Sequence, residues 1–233
     1  MKLALGTATP GGGFPVYGDA VIAALHEVDP ALTIEPRNTK GSTENVPLLV
    51  GHLALHEGEI ELTLLDMLDG LGLDMERDFQ AVYLERAGDG PAMVQDGRVA
   101  ALWGGGIGWP GFAAVAKSPG GARFIVPDAD GLRRIQARHA FLKPLTVPAG
   151  SYPGQDAPIA SLGSWSFIMA RPGLPDAAGY RLAHALHRAE RSIAERLPQG
   201  RETTAANTAA AAPRAELLHP GVQRYLREAG LGR

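Results

Sequence analysis

Two glycine-rich stretches hold the residues best suited to chemistry. Gly6-Thr7-Ala8-Thr9-Pro10-Gly11-Gly12-Gly13 lies between an apolar run, Lys2 to Leu5, and the helical spacing of Tyr17 to Val28. Backbone amides at a loop-to-helix junction point at an anion, and glycine lets the chain approach it. The stretch lacks the Gly-Lys-Ser/Thr ending of a phosphate loop, and Pro10 sets it apart from a dinucleotide fingerprint. A carboxylate on the amides of Gly11, Gly12 and Gly13 fits better than a nucleotide. The alternative is a turn that only needs positive φ. The second stretch, Thr39-Lys40-Gly41-Ser42-Thr43-Glu44-Asn45, offers the hydroxyls of Ser42 and Thr43. Arg37 and Lys40 stand nearby as cations able to pair a carboxylate.

Other clusters read as structural. His52 and His56 are four apart with Glu57 following, but the metalloprotease order His-Glu-x-x-His is missing. That pair, like His184 and His187 on a long amphipathic helix, reads as a solvated face. Asp66 and Asp69 read as the wet side of a short helix. No Gly-x-Ser-x-Gly elbow is present, and a chain without cysteine has neither thiolate zinc sites nor a cysteine nucleophile. These residues anchor no enzyme, metal or cofactor. Aromatics make up only 6% of the chain, so Phe14, Tyr17, Trp109, Tyr152 and Trp165, in or beside glycine- and proline-rich loops, count as candidate cleft residues. Each could equally cap the edge of a core.

The elements that must position these groups alternate. Strands are expected at Lys2 to Leu5, Leu32 to Ile34, Glu59 to Leu64, Gln80 to Leu84, Val99 to Trp103, Arg123 to Val126, Leu145 to Val147 and Trp165 to Ala170. Helices are expected at Tyr17 to Val28, after Asn45, at Leu65 to Leu71, Pro91 to Gln95, Phe112 to Lys117 and Asp130 to His139. A long one starts at Leu174-Pro175-Asp176 and stops at Pro198, with a stripe of Leu182, Leu186, Ala189, Ile193 and Leu197. A last helix, Val222 to Ala229, ends at Gly230. Such alternation predicts an α/β fold with parallel sheets covered by helices. The chain has 233 residues, enough for one large domain or two lobes, and a net charge of −3 gives no basic footprint for nucleic acid. Its N-terminus carries no signal-peptide core, so a cytoplasmic protein or a mature exported form is expected.

Four segments resemble the solute receptors of tripartite ATP-independent periplasmic (TRAP) transporters, in the TAXI subgroup. They are Gly6-Thr7 through Gly11-Gly12 to Gly18, Thr39 to Asn45 with Leu48-Leu49, Val147-Pro148-Ala149-Gly150-Ser151-Tyr152-Pro153-Gly154-Gln155, and Leu218-His219-Pro220-Gly221 with Arg224-Tyr225 and Arg227-Glu228. The resemblance implies a type II periplasmic-binding-protein-like fold of two α/β lobes. A small anionic solute, such as an acidic amino acid or dicarboxylate, would be held between them and handed to a membrane permease. It implies ligand contacts from Thr7, Gly11, Gly12, Gly13, Phe14, Lys40, Ser42, Thr43, Trp109 and Tyr152. Lobe 1 would take residues 1–62 and 140–233, and lobe 2 residues 63–139. After Glu59-Ile60-Glu61-Leu62 the chain passes directly to Leu64-Leu65-Asp66-Met67-Leu68, so a shortened second lobe is expected. A receptor would work in the periplasm after loss of a leader. A degenerate member acting as a sensing or interaction module, or a homodimer through the shortened lobe, is the alternative.

Overall fold

The computed structural model describes residues 1–41, 44–45, 48–49, 59–212 and 214–232, with the side chains of 59–63 left aside. The chain divides into two units. One comprises Met1–Ala8, Phe14–Leu55 and Phe167–Arg233; the other comprises Thr9–Gly13 and His56–Ser166.

The first unit opens with a βαβ arrangement. β1 (Lys2–Gly6) and β2 (Thr33–Arg37) pair in parallel, Lys2 opposite Thr33 and Gly6 opposite Arg37. The helix between them, α1 (Gly13–Val28), starts earlier than the apolar spacing predicts. Pro15 falls in its first turn, where a missing N–H costs no helical bond. Val21, Ala24, Leu25 and Leu32 form a core with Ala185, Ala189 and Ile193 of a long helix from the end of the chain. The expected stripe of that helix is met.

Burial alone does not hold the long helix. Arg181 donates two hydrogen bonds of 2.6 Å to Asp29, and Ser192 donates one of 2.6 Å to Glu27, which also pairs with Arg196. The last helix packs against the long one at glycines. A Cβ on Gly221 would lie 2.0 Å from the Asp176 carbonyl oxygen, and one on Gly179 2.2 Å from His219 Nδ1. The His219 ring caps the last helix by accepting from Gly221 N (3.2 Å) while Nε2 donates to the Leu174 carbonyl (2.9 Å). Those two bonds fix its tautomer. In chain order the long helix and the last one are α7 (Asp176–Arg196) and α9 (Pro220–Glu228), with α8 (Ala205–Ala211) between them.

The second unit holds α2 (Glu59–Leu71), α3 (Met75–Asp78), α4 (Gly90–Gln95), α5 (Pro110–Ala116) and α6 (Ala129–Arg138). Asp128 caps α6 by accepting from Gly131 N at 2.7 Å. Met67, Ile135, Leu142 and Leu162 form the core of this unit, flanked by Leu71 and Leu132. Helix α2 crosses α6 closely because Gly70 lies on Ile135, where a Cβ would come within 2.5 Å of Cα.

Several expectations need correction. Glu59 to Leu64 is helical, not a strand: it opens a helix that runs on to Leu71, whose Met67 shares a core with Ile135 of α6 and whose Leu71 packs against that core. The second sheet is antiparallel rather than parallel. Its strands, β3 (Lys143–Val147) and β4 (Ile159–Gly163), face each other with Val147 opposite Ile159. A loop too short for a crossover joins them, and only antiparallel strands accept that. Gln80 to Leu84, Val99 to Trp103, Arg123 to Val126 and Trp165 to Ala170 join no ladder among the described residues. Apolar periodicity marks a conformation, but a strand also needs a neighbour. The helix expected after Asn45 falls largely outside the described residues. The chain is thus a mixed α/β protein with small parallel and antiparallel sheets.

Candidate functional site

In the first unit, the carboxyl ends of β1 and β2 carry the glycine- and threonine-rich loops. This is where open α/β sheets place ligands. Thr7 is buried, and both its amide (3.0 Å) and its hydroxyl (3.2 Å) donate to the Arg37 carbonyl. Its hydroxyl therefore ties the two strand ends together. Gly18 of α1 sits on the Thr7 methyl, where a Cβ would approach Cγ2 to 2.7 Å. Beyond β2 the chain turns at Gly41, which has φ of +89°, a conformation that favours glycine. Thr39 Oγ1 accepts from Gly41 N (3.1 Å), and the Glu44 carboxylate accepts from Lys40 N (2.8 Å).

Asn45 closes this arrangement. Its Nδ2 donates to the Thr7 carbonyl at 2.8 Å, and its Oδ1 is buried beside Gly6 with no hydrogen-bond partner among the described residues. Lys40 is exposed on the second loop and Arg37 at the end of β2, about 4.0 Å from Glu35. Phe14 is half-buried in the first turn of α1. Ser42 and Thr43, like His52, His56 and Glu57, lie outside the described residues. Thr7 and Lys40 thus meet at one strand-end cluster. Asn45 belongs to it too and was not singled out from sequence, because nothing but its place after Gly41 distinguishes it.

The second unit gathers the other glycines. Thr9 to Gly13 runs against the chain at Gly88: Gly11, at φ +86°, would put a Cβ 2.8 Å from Gly88 Cα, and Ala87 N donates to Thr9 Oγ1 at 3.5 Å. The Gly12 amide donates to the Thr9 carbonyl (3.1 Å), so it is committed inside the loop. Gly13 lies 3.5 Å, at its Cβ position, from Trp109 Cδ1.

Trp109 and Tyr152 are buried. Gly104 and Gly111 wall the Trp109 ring, and Phe112 meets it edge-on at 4.8 Å between centroids. Phe112 and Phe124 both pack on Tyr152. The Tyr152 hydroxyl accepts from Gly108 N (2.8 Å) and donates to the Gly106 carbonyl (3.2 Å), and burial pushes its pKa up. These rings shape the Gly104 to Gly108 loop. Gln155, 7% exposed, fastens its own loop by donating from Nε2 to the carbonyls of Pro148 (3.0 Å) and Ala157 (2.7 Å). An open recess of about 450 Å³ borders Gly88, with Val82, Glu85, Met93 and Arg98 on its walls.

The remaining polar clusters are accounted for by packing. Asp66 and Asp69 both face His139, at 3.3 and 2.9 Å, and Asp69 also takes Arg138. His187 hydrogen-bonds Tyr225 (2.8 Å), so one of the two histidines expected on a wet face instead joins α7 to α9, while His184 is exposed with its ring edge-on to Tyr225. Tyr17 bonds Thr203 (2.9 Å). Among the described residues, no three His, Asp or Glu side chains are placed to hold a metal, and no helix is long and apolar enough to cross a membrane.

Comparison with curated proteins finds no match. A family model does match, over residues 55–230, a span that takes in the Val147 to Gln155 loop and the His219-Pro220-Gly221 start of α9. It leaves the two N-terminal glycine stretches outside. That span exceeds half of the chain: the protein belongs to the NMT1-like family, a periplasmic-binding-protein-like family whose members are, in general, solute-binding proteins.

Proposed function

We propose that this chain is the solute receptor of a TRAP-type transport system of the TAXI subgroup. It binds a small anionic solute, such as an acidic amino acid or a dicarboxylate, and presents it in the periplasm to a membrane permease. The observation that carries this reading is the strand-end cluster of the first unit. Thr7, Gly41 and Asn45 hold two loops at the carboxyl ends of a parallel pair, with the cations Arg37, at the end of β2, and Lys40, on the second loop, both exposed. A carboxylate is the group that such cations and loop amides attract. Family membership supports solute binding in general. The work is recognition and release, with no bond made or broken.

A thermal-shift screen of dicarboxylates and acidic amino acids tests the reading. A ligand at a hundred times its dissociation constant adds about 2.7 kcal/mol of stability. At least one anion is expected to raise the midpoint, and the double variant Arg37→Ala/Lys40→Ala to lose the rise while still folding. If no anion shifts the parent protein, the receptor reading fails. The second reading, a sensing or interaction module that no longer transports, is favoured by one observation: apolar chain at Arg123 to Val126 that joins no sheet and exposes Ile125.

A further inference from the structure

We infer that His219 is an acid-sensitive latch: on taking up a proton it releases the first turn of α9 from α7. The half-buried ring is held between two backbone groups of opposite kind. Nδ1 accepts from Gly221 N (3.2 Å) and Nε2 donates to the Leu174 carbonyl (2.9 Å). A neutral imidazole has one acceptor and one donor, and these partners use both; an imidazolium has two donors and no acceptor. Protonation at Nδ1 therefore turns the cap of α9 into two N–H groups facing each other. The ring cannot shift toward α7 to relieve this, because it lies on Gly179, where a Cβ would come within 2.2 Å of Nδ1. The turn it caps is pressed as closely, with Gly221 on the Asp176 carbonyl.

Of the three histidines hydrogen-bonded among the described residues, His219 alone loses a bond on protonation. His139 faces the carboxylates of Asp66 and Asp69, which accept from either nitrogen, so a proton adds a bond there. His187 faces the Tyr225 hydroxyl (2.8 Å), which donates or accepts, so its bond survives in both states. The partner of His219 Nδ1 is a backbone N–H, which cannot change roles. Among the described residues, no charged group on the packed elements pairs with the His219 ring. On α7, Asp176 stands in the first turn, Arg181 is bonded to Asp29, and His184 lies against Tyr225. On α9, Arg224 covers the Tyr180 ring and Glu228 accepts from the Tyr180 hydroxyl. Those contacts, with the buried Tyr225 and Leu226, hold the later turns of α9, so the first turn is what acid frees.

This inference stands apart from solute binding and is tested without any ligand, by denaturant unfolding and hydrogen exchange on the full chain. The pH runs from about 7.5 down to about 5.5, across the range where free imidazole takes up its proton, at about 6.5. His219→Asn keeps a capping acceptor that does not titrate there. A bond that needs the neutral ring adds stability at the upper end and loses it as pH falls. Relative to His219→Asn, the parent should therefore lose about fivefold in its folded-to-unfolded ratio at the acid end, the worth of one cap. Exchange at the amides of Gly221 to Gln223, corrected for the intrinsic rate, should speed up in acid in the parent and not in the variant. His187→Asn should keep the parent's pH slope. Should His219→Asn fail to fold, nitrogen NMR of the parent ring decides. His219 is expected as the Nε2–H tautomer at neutral pH, and protection of the first turn should fall in step with its protonation. Equal pH slopes in the parent and His219→Asn overturn the inference, as does a charged His219 in a chain whose first turn stays protected.

Discussion

The Tyr152 phenol bridges two backbone groups, the Gly106 carbonyl and the Gly108 N–H. Tyr152→Phe keeps the ring against Phe112 and Phe124 but takes the acceptor from the Gly108 N–H, while the Gly106 carbonyl keeps the Trp109 N–H. The expected cost is about 0.5–1.5 kcal/mol in denaturant unfolding, and a variant as stable as the parent would deny the bridge any role. A second residue-scale prediction concerns pH. The Arg181 side chain, bonded twice to Asp29, holds that carboxyl below its ordinary value. A carboxyl whose folded pKa is depressed adds stability above its unfolded pKa, and this is lost as pH falls. The stability gap between parent and Arg181→Met should therefore be full at neutral pH and shrink below about pH 4. A gap constant from neutral to acid would mean that the arginine acts through packing alone.

At the scale of elements, helix contacts made through glycine are the sharpest constraint. Gly221→Ala would push a methyl into the Asp176 carbonyl, and backbone cannot turn aside as a side chain can. The expected loss is about 3 kcal/mol or more. Gly173→Ala, in the loop before α7 with open space at its Cβ position, should be nearly neutral. Equal effects in chemical denaturation would show that α7 and α9 are not in close register. The long helix was legible from its apolar stripe and its two prolines, and the βαβ opening from its apolar runs. Residues Glu59 to Leu64 were not, because Ile60, Leu62 and Leu64 fit a period of two while Leu64, Leu68 and Leu71 fit a period of 3.6. Burial against Ile135 decides for helix, and that information lies about seventy residues further along the chain. The glycines of the strand-end loops were legible as turns; what faces them was not, since Trp109 and Tyr152 have side chains equally fit to line a cleft or to close one.

For the molecule as a whole, composition excluded more than it specified. The lack of cysteine ruled out thiolate chemistry, whereas the family emerged from the later three quarters of the chain. The first unit is assembled from both ends. Val21, Leu25 and Leu32 are covered by Ala185, Ala189 and Ile193, residues made about 150 positions later. On the ribosome, at about 5–20 residues per second, the nascent βαβ segment waits roughly ten to thirty seconds for its lid. Through that interval its apolar face is open to chaperones, and a message broken before the codons of α7 would yield a chain with no means of hiding it.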